Sequence, residues 1–268
     1  MKKFHQQRKG STDTSKDQLI IYGRHAVISA LKNPRRKIQK LLISAENRIE
    51  VEKAAPQVSA TVIDKKDFAK FLPGDAVHQG FALYCSRLET CDISDLIALA
   101  ENKKRCCILI LDQVTDPQNI GAIIRSCAAF ETLGLIVQDK NSPLESGAMD
   151  KAAAGTVEFV PVARVTNLSR AIETLKENGF WVIGMDGYAD TTIDKINKDG
   201  KVAVVMGSEG KGLRRLVQEN CDSSVKLPIS PQVESLNVST AAAIALYELN
   251  RDKITARKAA IEAGLPVT

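Results

Sequence analysis

Three polar segments of the sequence follow apolar runs and carry side chains that could take part in chemistry. In the first, Asn119 lies six residues before Arg125. The turn signal Asp116-Pro117 and the capping ability of asparagine predict a helix that begins near Ile120. An arginine beside the apolar stripe of such a helix needs an anionic partner, which is either a protein carboxylate or a substrate phosphate. Taken alone, helix capping and a structural ion pair explain both residues.

The second segment, 207–212, directly follows an apolar run and has the sequence GSEGKG. Its three glycines allow sharp turns and a close approach of the backbone to a ligand. The pattern is neither the G-x-G-x-x-G fingerprint nor a Walker A loop, so it does not indicate binding of a dinucleotide or a triphosphate. Glu209 lies among these glycines, and by itself it is explained as a charge near the start of a helix.

The third segment, 227–240, contains Pro228 and Pro231, which restrict a loop whose backbone could line a ligand pocket. Ser235 and Asn237 come next, and either side chain could simply cap the helix that follows. That helix begins with a run rich in alanine. Such a smooth helix face suits a dimer interface and a tightly packed core equally well.

The elements that must position these segments are those of an α/β protein. Unbroken apolar runs separated by helical patterns predict a parallel sheet that is covered on both faces. The predicted strands are 106–112, 134–138, 157–161, 180–186, 202–207 and 225–228, and the predicted helices are 120–131, 168–178, 213–219 and 238–251. In such sheets ligands bind beyond the carboxyl ends of the strands, which is where all three polar segments lie.

A smaller α/β domain is predicted ahead of this sheet. Short strands and helices alternate over 19–88, with a closing strand at 78–84. Residues 1–18 are predicted to be a flexible basic tail, 89–104 a linker and 105–268 the main domain.

Composition excludes several classes of protein. The chain is 44% hydrophobic but only 4% aromatic, which predicts an aliphatic core and argues against a base-stacking RNA-recognition sheet. The net charge is +5, and basic clusters in 1–18 and 32–40 suit either a solvated surface or contact with phosphates. The six cysteines form no C-x-x-C pair, so neither a zinc site nor a disulfide framework is expected. A cytoplasmic protein is expected, because the sequence has no long apolar run and no signal core.

Together the three polar segments resemble the signature motifs of the SpoU branch of the SPOUT superfamily of RNA 2′-O-ribose methyltransferases. The matching motifs are N-x5-R after a strand, then M-G-S-E-G, then L-P-I followed by S-L-N-V-S, over about residues 105–253. Upstream, 19–27 resembles the start of the RNA-binding domain of the 23S rRNA guanosine 2′-O-methyltransferases. An ordinary strand-to-helix turn would also explain 19–27.

The resemblance implies an α/β fold of the SPOUT type, in which a small α/β RNA-binding domain precedes a parallel sheet with a C-terminal trefoil knot. It also implies S-adenosylmethionine (AdoMet) as methyl donor, no metal, an RNA substrate and a homodimer. Carried over by motif position, Gly207, Leu227 and Leu236 would contact AdoMet, with Ile229 nearby. The catalytic group would comprise Asn119, Arg125, Glu209, Ser235 and Asn237.

Two roles for Arg125 follow from this resemblance. The family proposal makes Arg125 the group that receives the proton of the ribose 2′-hydroxyl, although a guanidinium is costly to deprotonate. Alternatively, Arg125 stays charged, holds the RNA phosphate and stabilises the developing alkoxide. Asn119 would orient Arg125, and Glu209 would hold either of them in place. Ser235 and Asn237 would shape the site by hydrogen bonding.

The favoured hypothesis is 2′-O-methylation of a guanosine in the peptidyl-transferase region of 23S rRNA. Methylation of a tRNA guanosine is an alternative, but enzymes of that kind usually carry helical extensions instead of the small α/β domain. Drug-resistance rRNA methyltransferases share the two-domain layout. A non-catalytic ribosome-assembly factor is disfavoured by the intact Asn119, Arg125 and Glu209. A nicotinamide oxidoreductase is disfavoured because no glycine fingerprint follows the strand at 106–112.

Overall fold

A computed structural model of the protein describes residues 18–74, 76–139, 149 and 152–264. The chain divides into two compact units between Leu88 and Glu89. The tail predicted for 1–18 lies outside the described residues except for Gln18, which begins the first strand. Within the described ranges, no helix is both long enough and apolar enough to span a membrane.

The N-terminal unit is a four-stranded sheet with two α-helices on one face and the 3₁₀ helix Lys65–Lys70 on the other. Its elements are β1 (Gln18–Tyr22), α1 (Arg24–Lys32), β2 (Ile38–Ile43), α2 (Arg48–Ala54), β3 (Ala60–Val62) and β4 (Phe81–Ser86). The strand order is β1-β4-β2-β3, in which β4 is antiparallel to β1 and β2, while β2 and β3 are parallel. Helix residues Val27 and Val51 pack against Leu41 and Leu83 of the sheet, and this cluster forms the core of the unit.

The strand predicted at 78–84 begins only at Phe81. Gln79 and Gly80 have positive φ angles of 51° and 78°, so the chain turns where the strand was expected to start. The amide of Asn47 donates to the carbonyl oxygens of both turn residues, at 3.1 Å and 3.0 Å. A Cβ on Gly80 would lie 2.2 Å from Oγ of Ser44, so only glycine fits this turn.

The C-terminal unit is a seven-stranded sheet with helices on both faces. Its strands are β5 (Cys106–Leu111), β6 (Gly134–Gln138), β7 (Val162–Val165), β8 (Phe180–Met185), β9 (Thr191–Thr192), β10 (Lys201–Met206) and β11 (Ser223–Lys226). The helices are α3 (Ile93–Ala100), α4 (Pro117–Ala129), α5 (Leu168–Glu177), α6 (Arg215–Asn220) and α7 (Val238–Glu262). The strand order is β7-β6-β5-β10-β8-β11-β9, and each of its pairings is parallel. The predicted parallel α/β sheet is therefore confirmed.

The central strand β5 shows why the predicted sheet needs two covered faces. Cys107 and Leu109 belong to a buried cluster that includes α4 and α7, whereas Cys106 and Ile108 belong to a cluster that includes α3 and α5. Leu96 of α3, within the segment predicted as a linker, is fully buried in the second cluster. Burial raises the pKa of the Cys107 thiol to about 12, so this cysteine behaves as a small apolar residue.

The prediction of a strand at 157–161 is wrong. The chain forms a one-turn 3₁₀ helix at Thr156–Glu158, and the strand follows it as β7. Gly155 has a φ of 83°, and the amide of Glu158 donates to its carbonyl oxygen at 3.3 Å, which closes the turn. Periodicity cannot separate a short turn from a short buried strand in an apolar run of this length.

Two boundaries also differ from the predictions. The strand expected at 225–228 is Ser223–Lys226, which ends before Leu227. The last helix continues to Glu262 rather than ending at 251. Its final turns are mostly exposed and bury no apolar stripe, so the sequence pattern gave no signal for them.

A buried carboxylate joins three neighbouring strands at their carboxyl ends. Asp112, which follows β5, is fully buried and accepts hydrogen bonds from the backbone N–H of Arg214 at 2.9 Å and from its Nε at 2.7 Å. Nη2 of the same arginine donates to Gln138 at the end of β6, at 3.2 Å. Because Arg214 ends the loop that follows β10, this ion pair fixes that loop against the edge of the sheet.

We predict that Asp112→Asn lowers the free energy of unfolding by about 2–3 kcal/mol, because it leaves the Arg214 donors without a buried anionic partner. Urea unfolding of the variant measures this loss. The matched control is Glu219→Gln, which removes an exposed pair with Arg215 and is expected to cost less than about 0.5 kcal/mol. Equal stability of the two variants would contradict the structural role given to Asp112.

Candidate active site

The loop after β10 is a tight turn whose two ends lie in contact. Ser208 and Gly212 exchange two backbone hydrogen bonds, at 3.2 Å and 3.0 Å, which close the loop at its base. Gly210 and Gly212 have φ angles of 77° and 63°, in the left-handed region that favours glycine. A Cβ on Gly207 would lie 2.2 Å from the carbonyl carbon of Gly212. The predicted need for glycine in this segment thus has a specific cause, which is contact between its two ends.

Glu209 projects from this loop and joins the three polar segments. Its Oε1 accepts hydrogen bonds from Nδ2 of Asn119 at 3.2 Å, from Nδ2 of Asn237 at 2.6 Å and from the backbone N–H of Val238 at 3.2 Å. Nδ2 of Asn237 also donates to Oδ1 of Asn119 at 3.0 Å. The first, second and third segments therefore meet at one carboxylate oxygen, although as many as 118 residues separate them in sequence.

The prediction that Asn119 caps α4 is wrong. The cap is Asp116, whose side chain accepts from the backbone N–H of Gln118 at 3.1 Å, and Pro117 is the first helical residue. Proline is favoured at that position because it has no N–H to satisfy and its φ is already helical. With capping done by Asp116, the amide of Asn119 in the first turn is available for Glu209.

Asn237 has both of the roles considered for it. Its Oδ1 accepts from the backbone N–H groups of Ser239 and Thr240, at 3.0 Å and 3.3 Å, so it is the cap of α7. Its Nδ2 is turned toward Asn119 and Glu209. Capping fixes the amide plane of Asn237 and thereby directs its two donor hydrogens to the network.

Arg125 and Ser235 are not part of this hydrogen-bond network. Arg125 lies on α4 with an exposed side chain, and among the described residues no hydrogen bond or ion pair engages its guanidinium. The structural ion pair that was its alternative explanation is thus absent from the described part of the chain. Ser235 lines the same cavity as Glu209.

A cavity of about 450 Å³ lies at the carboxyl ends of β8, β10 and β11. Gly207, Leu227, Ile229 and Leu236, the residues expected from the resemblance to contact a cofactor, all line it. Its charged side chains carry both signs: Asp186, Glu209, Lys211, Lys226 and Glu234. Within the ranges that the structure describes, no group of three or more His, Cys, Asp or Glu side chains could hold a metal ion.

Sequence reasoning missed one wall of this cavity, which is formed by Met185 at the end of β8 and by the loop Asp186-Gly187-Tyr188 that follows. The rule that ligands bind beyond the carboxyl ends of parallel strands applies to β8 as it does to β10. That rule, used on every predicted strand end, would have drawn attention to this loop. The loop carries none of the residues quoted for the three motifs, so the motif comparison passed over it.

We predict that Gly207→Ala lowers the free energy of unfolding by about 1–3 kcal/mol, because the added methyl group must push apart the two ends of the loop. The matched control is Gly187→Ala, in the loop after β8 that lines the same cavity, where a Cβ meets no atom within 4 Å. Urea unfolding compares the two variants. A Gly207→Ala protein as stable as Gly187→Ala would show that the close contact with Gly212 does not constrain the loop.

Two family models match the chain, one over each unit. Residues 107–247 match the model of the SpoU rRNA Methylase family, and residues 20–91 match the model for RNA 2′-O ribose methyltransferase substrate binding. The first match contains Asn119, Glu209 and Asn237 and the loops that line the cavity.

Individual relatives agree with the family models. An uncharacterized tRNA/rRNA methyltransferase of Synechocystis is 36% identical over 87% of this chain and 62% of its own length. The 23S rRNA (guanosine-2′-O-)-methyltransferase RlmB of Coxiella burnetii is 38% identical over 87% of this chain and 95% of its own length. The SpoU methyltransferase AviRb of Streptomyces viridochromogenes, solved with AdoMet, superposes with a TM-score of 0.74 at 19% identity, over 92% of this chain and 95% of AviRb. The chain therefore belongs to the SpoU rRNA methylase family.

Proposed function

We propose that this protein uses AdoMet to methylate the 2′-hydroxyl of a guanosine ribose in the peptidyl-transferase region of 23S rRNA, in the cytoplasm. The observation that carries the proposal is the network of Asn119, Glu209 and Asn237 beside a cavity of ligand size. The name of the Coxiella relative supports a guanosine of 23S rRNA as the target. The family model that matches the N-terminal unit supports an RNA substrate.

The cavity suits AdoMet as the methyl donor. Its volume of about 450 Å³ falls within the range of about 300–1,000 Å³ that is common for small-molecule sites. The absence of a side chain at Gly207 keeps the loop closed and lets backbone approach the ligand. We assign contact with AdoMet to Gly207, Leu227, Ile229 and Leu236. When bound, AdoMet supplies an electrophilic methyl group on a positively charged sulfur.

We assign Glu209 to holding the site in place rather than to accepting a proton. Its Oε1 accepts three N–H donors, from Asn119, Asn237 and the backbone of Val238, and so joins the starts of two helices to the loop. Asn119 and Asn237 complete the rigid network, and Ser235 shapes the cavity wall beside it. The chain thus contributes mainly positioning, which can supply about 7–11 kcal/mol at best when both reactants are bound.

We assign Arg125 to the RNA. Its guanidinium is exposed and has no partner among the described residues, so it is available to a phosphate. A guanidinium stays protonated in proteins, so Arg125 would stabilise the negative charge that builds on the ribose 2′-oxygen while the hydroxyl proton passes to water, before that oxygen takes the methyl group.

We propose that 19–88 form the RNA-binding domain, that 89–104 connect it to the catalytic domain and that 105–268 contain a trefoil knot. Of the basic cluster in 32–40, Arg36 is buried and its Nη1 donates to the carbonyl oxygen of Ser86 at 2.8 Å. We assign phosphate contact to the members of the cluster with exposed side chains: Lys32, Arg35, Lys37 and Lys40.

We predict that the purified protein transfers the labelled methyl group of AdoMet to unmodified 23S rRNA, and that mapping finds it on one guanosine ribose. Arg125→Ala is expected to lower the rate by at least about 100-fold, because a charge that stabilises the transition state is lost. The matched control is Arg215→Ala, which removes another exposed arginine of the same unit and leaves the rate unchanged.

The parallel incubation with tRNA separates the proposed function from its nearest rival. Label on tRNA alone would overturn the assignment of the substrate while leaving the methyltransferase activity in place. Full turnover by Arg125→Ala would overturn the role given to that residue.

We propose that the active form is a homodimer in which the outer face of α7 contacts the partner. The alanine-rich run does not supply this face, because Ala242 and Ala245 are fully buried in the core. The apolar residues Ile244 and Tyr247, whose exposed fractions are 42% and 51%, supply it instead.

Sedimentation is expected to give twice the chain mass of 29.1 kDa for the wild type and to shift toward one chain mass for Ile244→Glu. Ile261→Glu, on the same helix, is the control and stays dimeric; a wild-type monomer would contradict the proposal.

A further inference from the structure

Tyr188 is an aromatic side chain that the three motifs leave without a role. It follows β8 and lines the cavity, yet 89% of it is exposed, more than any other large apolar or aromatic side chain that the structure describes. Among those residues its ring stacks on no other aromatic ring and lies under no cation. A large ring left in water beside a cavity costs free energy that a bound ligand can recover.

The backbone that carries this ring is held firmly. Oδ1 of Asp186 accepts from the backbone N–H of Tyr188 at 3.0 Å, and Oδ2 accepts from Nε2 of Gln218 at 2.9 Å. The N–H of Asp186 donates to the carbonyl oxygen of Val225 at 2.9 Å, and Ala189 donates back to the carbonyl oxygen of Asp186 at 3.1 Å. Both carboxylate oxygens of Asp186 are thus used to fix the loop. Tyr188 is left with a fixed Cα and a ring that turns about two side-chain torsions.

The strand order places Asn119 and Tyr188 on opposite sides of β10. Asn119 follows β5 and Tyr188 follows β8, and β10 lies between those two strands. Neighbouring strands are about 4.8 Å apart, so the ends of β5 and β8 are about 10 Å apart along the edge of the sheet. In the proposed function the ribose to be methylated approaches at the side of Asn119 and Glu209. The Tyr188 side is therefore left to the part of AdoMet that lies away from the transferred methyl group.

We propose that Tyr188 closes over the adenine ring of bound AdoMet and stacks on it. This inference rests on the proposed function, because it takes the cavity to be the AdoMet site. Adenine is the flat, aromatic part of that molecule, and an aromatic side chain stacks on a nucleobase with a gain of about 1–3 kcal/mol. In this assignment Tyr188 contacts the methyl donor directly, and Asp186 is a positioning residue that acts through the loop.

The test measures binding by calorimetry of AdoMet and of 5′-methylthioadenosine, which keeps the adenosine and the sulfur but lacks the amino-acid part. Tyr188→Ala is expected to weaken the binding of both ligands by the same factor, about tenfold. Tyr188→Phe is expected to bind both as the wild type does, because stacking needs the ring and not the hydroxyl. Phe159→Ala, which removes a ring that is 62% exposed and lies outside the cavity lining, is the matched control and leaves binding unchanged.

Each outcome has a distinct meaning. Wild-type binding of both ligands by Tyr188→Ala overturns the role of Tyr188 and leaves the proposed function intact. Weakened binding of AdoMet with unchanged binding of 5′-methylthioadenosine overturns the adenine assignment, because the ring then contacts the amino-acid part. Normal AdoMet affinity with a raised KM for RNA places the ring on the target nucleobase and also overturns the proposal. No binding of AdoMet by the wild type ends the proposed function itself.

A spectroscopic variant tests the stacking without any dependence on activity. The sequence contains one tryptophan, Trp181. In the double variant Trp181→Phe/Tyr188→Trp, the new indole is the only one, and 5′-methylthioadenosine is expected to quench its fluorescence through ring stacking. Unchanged fluorescence at a ligand concentration that calorimetry shows to be saturating would contradict the proposal.

Discussion

One carboxylate oxygen, Oε1 of Glu209, holds together the parts of the chain on which the candidate site depends. Its three donors come from the first turn of α4 and from the start of α7, so a single acceptor fixes two helix ends against the glycine loop after β10. Hydrogen bonds to a charged acceptor are stronger than those between neutral groups. The loss of this one carboxylate would leave the amides of Asn119 and Asn237 without a shared partner. The arrangement also explains the glycines at the two ends of this loop. Gly207 and Gly212 must lie in contact for the loop to place Glu209 beside the two helices.

The parallel sheet makes this meeting point possible. β10 is hydrogen-bonded between β5 and β8, so the loops after these strands open on the same edge although the strands are far apart in sequence. Asp112, which follows β5, stabilises that edge by binding Arg214, the last residue of the glycine loop. Two carboxylates therefore hold the glycine loop. The fully buried Asp112 anchors it to the sheet, and Glu209 joins it to the starts of α4 and α7. The cavity is the space that these fixed loops leave between them.

Much of this could be predicted from the sequence, because the fold and the site each depend on patterns that are local in the chain. The strands β5, β6, β8 and β10 are unbroken apolar runs, and the polar residues at their carboxyl ends predict where the site lies. The strand expected at 157–161 failed because a short apolar run fits a buried turn as well as a strand. Asparagine is a favoured N-cap residue, which is why the sequence predicts a cap at Asn119. The helix instead begins at Pro117, because proline is favoured at the first helical position, and Asp116 is therefore the cap. Tyr188 was overlooked because exposure beside a cavity is a property of the folded chain.

The most direct test of this account is a crystal structure of the protein with S-adenosylhomocysteine or AdoMet bound. The predicted result is one ligand in the cavity between the loops that follow β8, β10 and β11, with its sulfur toward Asn119 and Glu209 and its adenine toward Tyr188. A ligand bound elsewhere on the chain, or one bound here with its sulfur directed away from the Asn119–Glu209–Asn237 network, would contradict it.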